Sequence, residues 1–342
     1  MDTPRIGYCC LFRPPLPDIA AATRLNVSGT TVSALLRMER ADAFARVLDL
    51  VARNLQALEA HLRHVAASAP LERLLRLDSG VLPAFTHPVA RWMYDEPVMR
   101  EMVEGGLARC GAVARAAGVR VSLHPGQFCV IGSQNPQAVL NGVAEFEYHT
   151  DLLRWMGLAG GWHPLGAHIN IHVGSTASGI AGFRDGLALL SADARNLITV
   201  ENDEHQFGLD ALLPLAQHLP IVLDLHHQWL SSEGEYIEPE DPRIALVAAS
   251  WRGVRPVSHL SVSREDLLVG HDPGTRPDWA WLSGMGVGTR LLRAHSDRMW
   301  NDAVNAWAVR HLAWTDIEVE AKHKNLASHD LAEAARQILS AA

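Results

Sequence analysis

Residues 166–203 contain Gly166-Ala167-His168-Ile169-Asn170-Ile171-His172-Val173-Gly174 and, after a longer amphipathic stretch, Leu197-Ile198-Thr199-Val200-Glu201-Asn202-Asp203. Each is a short apolar run that stops on a side chain able to bind a metal or move a proton. The next run, Ile221-Val222-Leu223, stops on Asp224 and is followed by Leu225-His226-His227. Short apolar runs separated by amphipathic segments are the pattern of βα units around a parallel sheet. Followed outward to both termini, the rhythm places strands at Arg5–Cys10, Leu74–Asp78, Val119–His124, Gly166–His172, Leu197–Glu201, Ile221–Asp224, Val257–Leu260 and Ile317–Glu320. Eight such strands close a (β/α)8 TIM barrel, so the expected class is α/β.

The segments between strands carry helical periodicity. Phe44, Val47, Leu48, Val51, Leu55, Leu58 and Leu62 form a stripe near a 3.6-residue repeat over Ala41–Val65. Val98–Ala117, Pro136–Leu158, Leu209–His218, Pro242–Trp251 and Asp330–Leu339 read similarly. Two connections exceed ordinary loop length: Leu11–Met38 after the first strand and Ser261–Trp300 after the seventh. Both leave the C-terminal ends of their strands, which in a barrel is the catalytic face. Neither a low-complexity linker nor a repeat beyond the βα rhythm interrupts the chain, so a single domain over 1–342 is expected.

Composition narrows the class. With 48% hydrophobic and 20% charged residues, the 342-residue chain reads as a globular protein. The start, Met1-Asp2-Thr3-Pro4-Arg5, lacks the basic and apolar regions of a signal peptide, and no apolar run reaches the length of a membrane span. A cytoplasmic location is expected, with no membrane contact and no obligate protein partner. The cysteines at 9, 10, 110 and 129 are too few and too irregular for a disulfide framework or zinc ribbon and read as small core residues. A net charge of −8 argues against indiscriminate polyanion binding, while a local basic groove stays compatible with it.

The chemistry lies at the strand ends. His124, His172, Glu201, Asp224, His259 and Glu320 each terminate an apolar run, although His, Asp and Glu together make up only about one residue in six. Side chains at the C-terminal ends of barrel strands converge on one mouth. Mixed imidazole and carboxylate donors suit Mn²⁺, Zn²⁺ or Fe²⁺, and a carboxylate can bridge two ions. Taken singly, such a residue is more often a hydrogen-bonded loop residue. His168, Asn170 and Glu318 share the inward parity of the strand-end residues and could be supporting groups.

Seven short motifs occur in the order found in UV damage endonucleases, a family related to endonuclease IV-type apurinic-site nucleases: Arg5-Ile6-Gly7-Tyr8, Thr86-His87-Pro88, His124-Pro125-Gly126-Gln127-Phe128, His172-Val173-Gly174, Glu201-Asn202-Asp203, Asp224-Leu225-His226-His227 and Glu320-Ala321-Lys322-His323-Lys324. The chain resembles that family from about residue 5 to 326. The resemblance implies a TIM barrel holding two or three divalent ions, manganese first and zinc or iron(II) as alternatives, that hydrolyses damaged double-stranded DNA 5′ to a lesion and leaves a 3′-hydroxyl. By motif, His124, His172 and Glu201 resemble one ion's ligands, and Glu201, Asp224, His259 and Glu320 a second's. His227 and His295 resemble a third site. Glu201, His87 and Glu320 resemble catalytic groups, Gln127 and Phe128 the pair that wedges into the duplex, and Tyr8 a group near the lesion.

The sequence also departs from that pattern. Where the family carries a chemically modified lysine two residues before the seventh-strand histidine, this chain has Val257, and its wedge aromatic is Phe128 rather than tyrosine. Losing an anionic ligand leaves an ion under-coordinated, so two well-occupied metal positions are expected, with the third weak, absent or completed by water. His227 and His295 would then be free for another role, as neutral imidazoles of lowered basicity. The alternative function is a metal-dependent enzyme of the same barrel class acting on a small molecule, like a sugar isomerase or epimerase. Arginines 13, 24, 37, 264, 276, 290, 293 and 298 lie in the two long loops, and a basic rim built from them would favour DNA.

Overall fold

The computed structural model describes residues 3–15, 18–126, 128–174 and 176–341. Eight parallel strands pair in sequence order into a closed barrel: β1 (Ile6–Cys9), β2 (Leu74–Arg76), β3 (Arg120–Leu123), β4 (His168–His172), β5 (Ile198–Glu201), β6 (Ile221–Asp224), β7 (Val257–Leu260) and β8 (Asp316–Val319). The limits of β6 and β7 coincide with those expected, and the others are displaced or shortened by one or two residues. At the end of β1, Cys10 leaves the extended region with φ 66°.

The helix Arg40–Ala67 buries Val47, Val51, Leu55, Leu58 and Leu62 on one stripe. Each such side chain contributes about 1.5–3 kcal/mol on burial. The helix Pro97–Ala117 begins with a proline whose missing N–H costs nothing there, and ends at Gly118, whose φ of 66° suits a residue without Cβ. Over 209–218 the structure departs from the expected helix: Leu209–Leu212 is a single α-turn followed by the 3₁₀ turn Leu213–Leu215. Pro214 lies in that turn and cannot donate to a continuing helix. The last helix begins at Asn325, five residues before the expected start.

The two long loops contain structure of their own. Asp18 and Thr31 cap short helices at Ile19–Leu25 and Val32–Leu35, and Asp278 caps Trp279–Gly284. Among the described residues no helix is long and apolar enough to cross a membrane.

Register fixes what the barrel interior holds. Gly7 is level with Glu318, His172 with Glu201, and His259 with both Asp224 and Glu318. One layer below the strand-end residues, Val222 and Val257 pack with Trp251, all fully buried. Near the N-terminal end of the barrel, Asp316 accepts from Arg120 at 3.0 Å and Arg255 at 2.7 Å, which ties β8 to β3 and to the segment entering β7.

Candidate metal centre

Glu201 ends β5 and is 1% exposed. Its Oε1 lies 2.8 Å from His259 Nδ1 on β7, and its Oε2 lies 3.2 Å from His124 Nε2 beyond β3 and 3.7 Å from His172 Nε2 on β4. Asn170, two residues before His172 and therefore on the same face, donates through Nδ2 to Oε2. Asp224 ends β6 and is fully buried. Its Oδ1 accepts from the backbone N–H of His227 at 2.7 Å, because Asp224 also caps the helix Leu225–Ser231. Its Oδ2 makes no hydrogen bond and lies 3.5 Å from His227 Nδ1.

Donor atoms converge in two sets, His124–His172–Glu201 and Glu201–Asp224–His259, each with its atoms within 4.8 Å of one another. Glu201 belongs to both. The donor chemistry fits divalent ions, and two orphaned buried atoms support the fit: Asp224 Oδ2 and His172 Nδ1 have no hydrogen-bond partner. An unpaired buried carboxylate oxygen is costly unless a cation meets it.

Two residues not assigned to the metal site from sequence complete the interior. Arg76, at the end of β2, is 6% exposed. Its guanidinium donates to Glu318 Oε2 at 2.9 Å, pairs with Glu320, and lies 2.7 Å from His259 Nε2. Glu318, fully buried on β8, also accepts from the Ser122 hydroxyl and lies 3.3 Å from His259 Nε2. The inward parity of Glu318 is legible in the sequence; no comparable signal marks Arg76, which reads as an ordinary strand-end cation.

The electrostatics follow from crowding carboxylates with imidazoles. Burial pushes Glu201 up, but His259, His172 and His124 outweigh it and hold its carboxyl well below the usual range. Burial raises Asp224 despite His227. Burial would lower His259, yet Glu201 and Glu320 raise it to about 10 against the opposing Arg76. His227 is pulled both ways as well. Although burial lowers it, Asp224, Glu201 and Glu204 surround it and raise it to about 9.

The remaining expected site residues fall into different places. His227 Nδ1 faces the Asn202 carbonyl at 3.0 Å and lies 3.5 Å from Glu201 Oε1, beside the two donor sets rather than in either. Glu320 lies 3.4 Å from His259 Nδ1 but is taken up by Arg76. His295 is half-buried, with its ring edge-on to His226 at 5.9 Å. His87 caps the helix Pro88–Asp95 through Nδ1. It lines a cavity of about 520 Å³ together with Phe128, Thr86 and Glu145. Phe128 is 84% exposed. Tyr8 is turned outward, its hydroxyl 2.8 Å from His61 Nε2 on the first long helix, so the structure does not bring it to the mouth. Gln127 lies outside the described residues.

The long-loop arginines are partly neutralised. Arg264, Arg276, Arg293 and Arg298 pair with Asp266, Glu238, Glu204 and Asp330. Arg13 donates to the Lys322 carbonyl, and among the described residues Arg24, Arg37 and Arg290 are exposed without an ion pair.

Comparison with known proteins places this barrel. The family described as UV-endonuclease UvdE matches residues 4–340. A UV DNA damage endonuclease of Bacillus pumilus (strain SAFR-032) is 30% identical over 57% of this chain and 60% of its own length. A second, from Bacillus mycoides (strain KBAB4), is 28% identical over 69% of this chain and 72% of its own. Thus the chain spans about three-fifths of the first relative. Among solved structures, that of SacUVDE superimposes with a TM-score of 0.73 at 21% identity, covering 98% of both chains. Endonuclease IV from Thermus thermophilus gives 0.50 at 15% identity, covering 83% of this chain and 95% of its own. These two likenesses concern the fold, whereas the family match runs nearly from end to end: the chain belongs to the UV-endonuclease UvdE family.

Proposed function

We propose that this chain is a metal-dependent endonuclease that hydrolyses a DNA phosphodiester on the 5′ side of a lesion. The observation that carries the reading is the pair of donor sets sharing Glu201 at the barrel mouth, supported by membership in the family. His124, His172 and Glu201 would hold one ion, and Glu201, Asp224 and His259 a second, with Glu320 and His227 beside them. The mixed imidazole and carboxylate donors suit Mn²⁺, Zn²⁺ or Fe²⁺, and the resemblance to UV damage endonucleases puts Mn²⁺ first. Ions held there would supply Lewis-acid polarisation of the phosphate and a water of lowered pKa.

The chain's own groups do the rest. Glu201 would carry the negative charge common to both ligand sets. His87 and the unpaired Arg24, Arg37 and Arg290 meet phosphates, and the exposed ring of Phe128 stacks where bases are displaced. Water adds to phosphorus, the bond from phosphorus to the 3′-oxygen breaks, and that oxygen leaves as a 3′-hydroxyl while the phosphate stays on the lesion-bearing fragment. We place the protein in the cytoplasm as a single domain acting on damaged double-stranded DNA.

A small-molecule enzyme of the same barrel class is the second reading. The pairing of four loop arginines with carboxylates favours it, since these charges are partly spent within the protein. The deciding experiment incubates purified protein with end-labelled irradiated and unirradiated duplexes, with and without EDTA followed by Mn²⁺. The proposal expects a nick 5′ to the lesion that EDTA abolishes and Mn²⁺ restores. Chelation-resistant nicking would remove the metal dependence, and failure to nick after Mn²⁺ loading would leave the small-molecule reading.

A further inference from the structure

The end of the barrel opposite the metal donors carries its own concentration of charge. Arg5 precedes β1, Arg120 opens β3 and Arg255 precedes β7, so all three stand at the N-terminal face. One buried carboxylate serves them. Asp316 Oδ1 accepts from the Arg5 backbone N–H at 2.9 Å and from Arg255 Nε at 2.7 Å. Its Oδ2 accepts from Arg120 Nη1 at 3.0 Å and Arg5 Nη1 at 3.4 Å. Four donors exhaust the acceptor sites of a carboxylate. Arg115, near the end of the helix Pro97–Ala117, donates to the Met156 carbonyl and has no ion pair among the described residues. These four arginines line one cavity of about 350 Å³ together with His163. Burial lowers His163 to about 3, so the guanidinium groups alone supply the charge.

We propose that this cavity binds a phosphate group, held by the free donors of Arg5, Arg115 and Arg255, with Arg120 adding charge from beneath. Arg120 is 2% exposed, and its Nη2 is buried with no hydrogen-bond partner. Four guanidinium groups around one saturated carboxylate repel one another, and a bound dianion offsets that repulsion. A tetrahedral phosphate presents oxygens in several directions and can meet forks from three arginines, whereas the two coplanar oxygens of a carboxylate suit one fork. The N-terminal face of a barrel ordinarily serves stability. Arg120 and Arg255 do serve it, by donating to the carbonyls of Gly166, Pro256, Leu312 and Thr315. That role leaves Nε and Nη2 of both Arg5 and Arg115 without a protein acceptor among the described residues. The site shares no residue with either metal donor set and does not depend on the metal-dependent reading.

The test titrates metal-loaded protein with inorganic phosphate by calorimetry, comparing wild type, Arg115→Gln and the double variant Arg5→Gln/Arg115→Gln. The double variant keeps Arg120 and Arg255 on Asp316, and the single one leaves every Asp316 contact in place. Phosphate bound to ions at the mouth is common to all three proteins, so the difference between them reads the N-terminal face. The expected result is a saturable site in the wild type whose affinity falls at least about tenfold in the double variant, with the single variant between, because charge-assisted bonds to two guanidinium groups are lost. Binding should also weaken as NaCl is raised. Thymidine 5′-monophosphate is the second probe: tighter binding than inorganic phosphate would assign the site to a nucleotide, and equal or weaker binding to free phosphate. Equal phosphate affinity in wild type and a cooperatively melting variant would overturn the proposal, and so would a wild type with no saturable binding. The arginines would then only tie the strand ends together.

Discussion

Glu201 Oε1 lies 2.8 Å from His259 Nδ1, although 58 residues separate them in the chain. The contact crosses the barrel mouth from β5 to β7 and brings one carboxylate within reach of two groups of imidazoles. Closed-barrel geometry makes such a meeting possible, because strand ends converge whatever their distance in sequence. The same carboxylate has His124 on its second oxygen, so its two oxygens face different donor sets.

Replacing Glu201 by Gln keeps the shape and removes the charge shared by both sets. The expected outcome is loss of at least one bound ion and a fall in nicking of about two orders of magnitude or more, equivalent to roughly 3 kcal/mol of transition-state stabilisation. Elemental analysis and single-turnover cleavage measure the two effects. Full metal content with full turnover would end the bridging role.

Phe128 offers a test that separates recognition from folding. An 84% exposed ring contributes little to the core, so Phe128→Ala should change stability by no more than about 0.5 kcal/mol. Base–aromatic stacking is worth about 1–3 kcal/mol, so affinity for lesion-bearing duplex should fall roughly 5–150-fold. Binding to undamaged duplex should change less. Equal losses on both duplexes would assign Phe128 to general contact rather than to the lesion.

The sequence exposed most of this barrel because βα units carry two periodicities that are read locally. The apolar runs located all eight strands, and the polar residues ending them located Glu201, Asp224, His259, His124 and His172. Features set by neighbours across the barrel were less visible. Arg76 looks like a surface cation until β2 is closed against β8, where it meets Glu318 and Glu320. Tyr8 shows the opposite case, because strand parity turns it toward His61 instead of the mouth. The short helices in the long loops rest on the Asp18, Thr31 and Asp278 caps, signals confined to a few residues each.

His311 lies outside the two donor sets and gives the protein an acid sensitivity of its own. Its Nε2 faces the Ile237 carbonyl at 3.2 Å, and its Nδ1 accepts from Trp314 Nε1 at 3.1 Å, which together require a neutral ring. Burial pushes its pKa from the ordinary 6.5 down to about 4. Between these values the unfolded chain takes up the proton first, so this contribution is complete above pH 6.5 and is lost as pH falls toward 4. The loss amounts to at most roughly 3 kcal/mol. Denaturant unfolding at stepped pH should show it, and His311→Gln, though less stable at neutral pH, should show a shallower decline. An identical pH slope in the variant would exclude His311 as a source.

The number of ions per chain is the sharpest quantity the interior charge predicts. Glu201, Asp224 and Glu320 are carboxylates at the mouth, Glu204 beside His227 is paired with Arg293, and Glu318 is matched by Arg76, which also draws on Glu320. Val257 adds no anion, and His227 and His295 stand outside the two convergent sets. A third dication would then meet imidazoles with too little negative charge in a partly buried site, where water compensates poorly. We expect two tightly bound Mn²⁺ per chain, counted by elemental analysis after dialysis, with any third removed by that treatment. Val257→Lys should not add one, because the new amine would be buried against Val222 and Trp251 and would need chemical modification to become anionic. Its main effect should be a lower melting temperature. Three retained ions in the wild type would defeat this charge argument. A third ion together with new nicking activity in the lysine variant alone would instead show that the wild-type chain uses its barrel on another substrate.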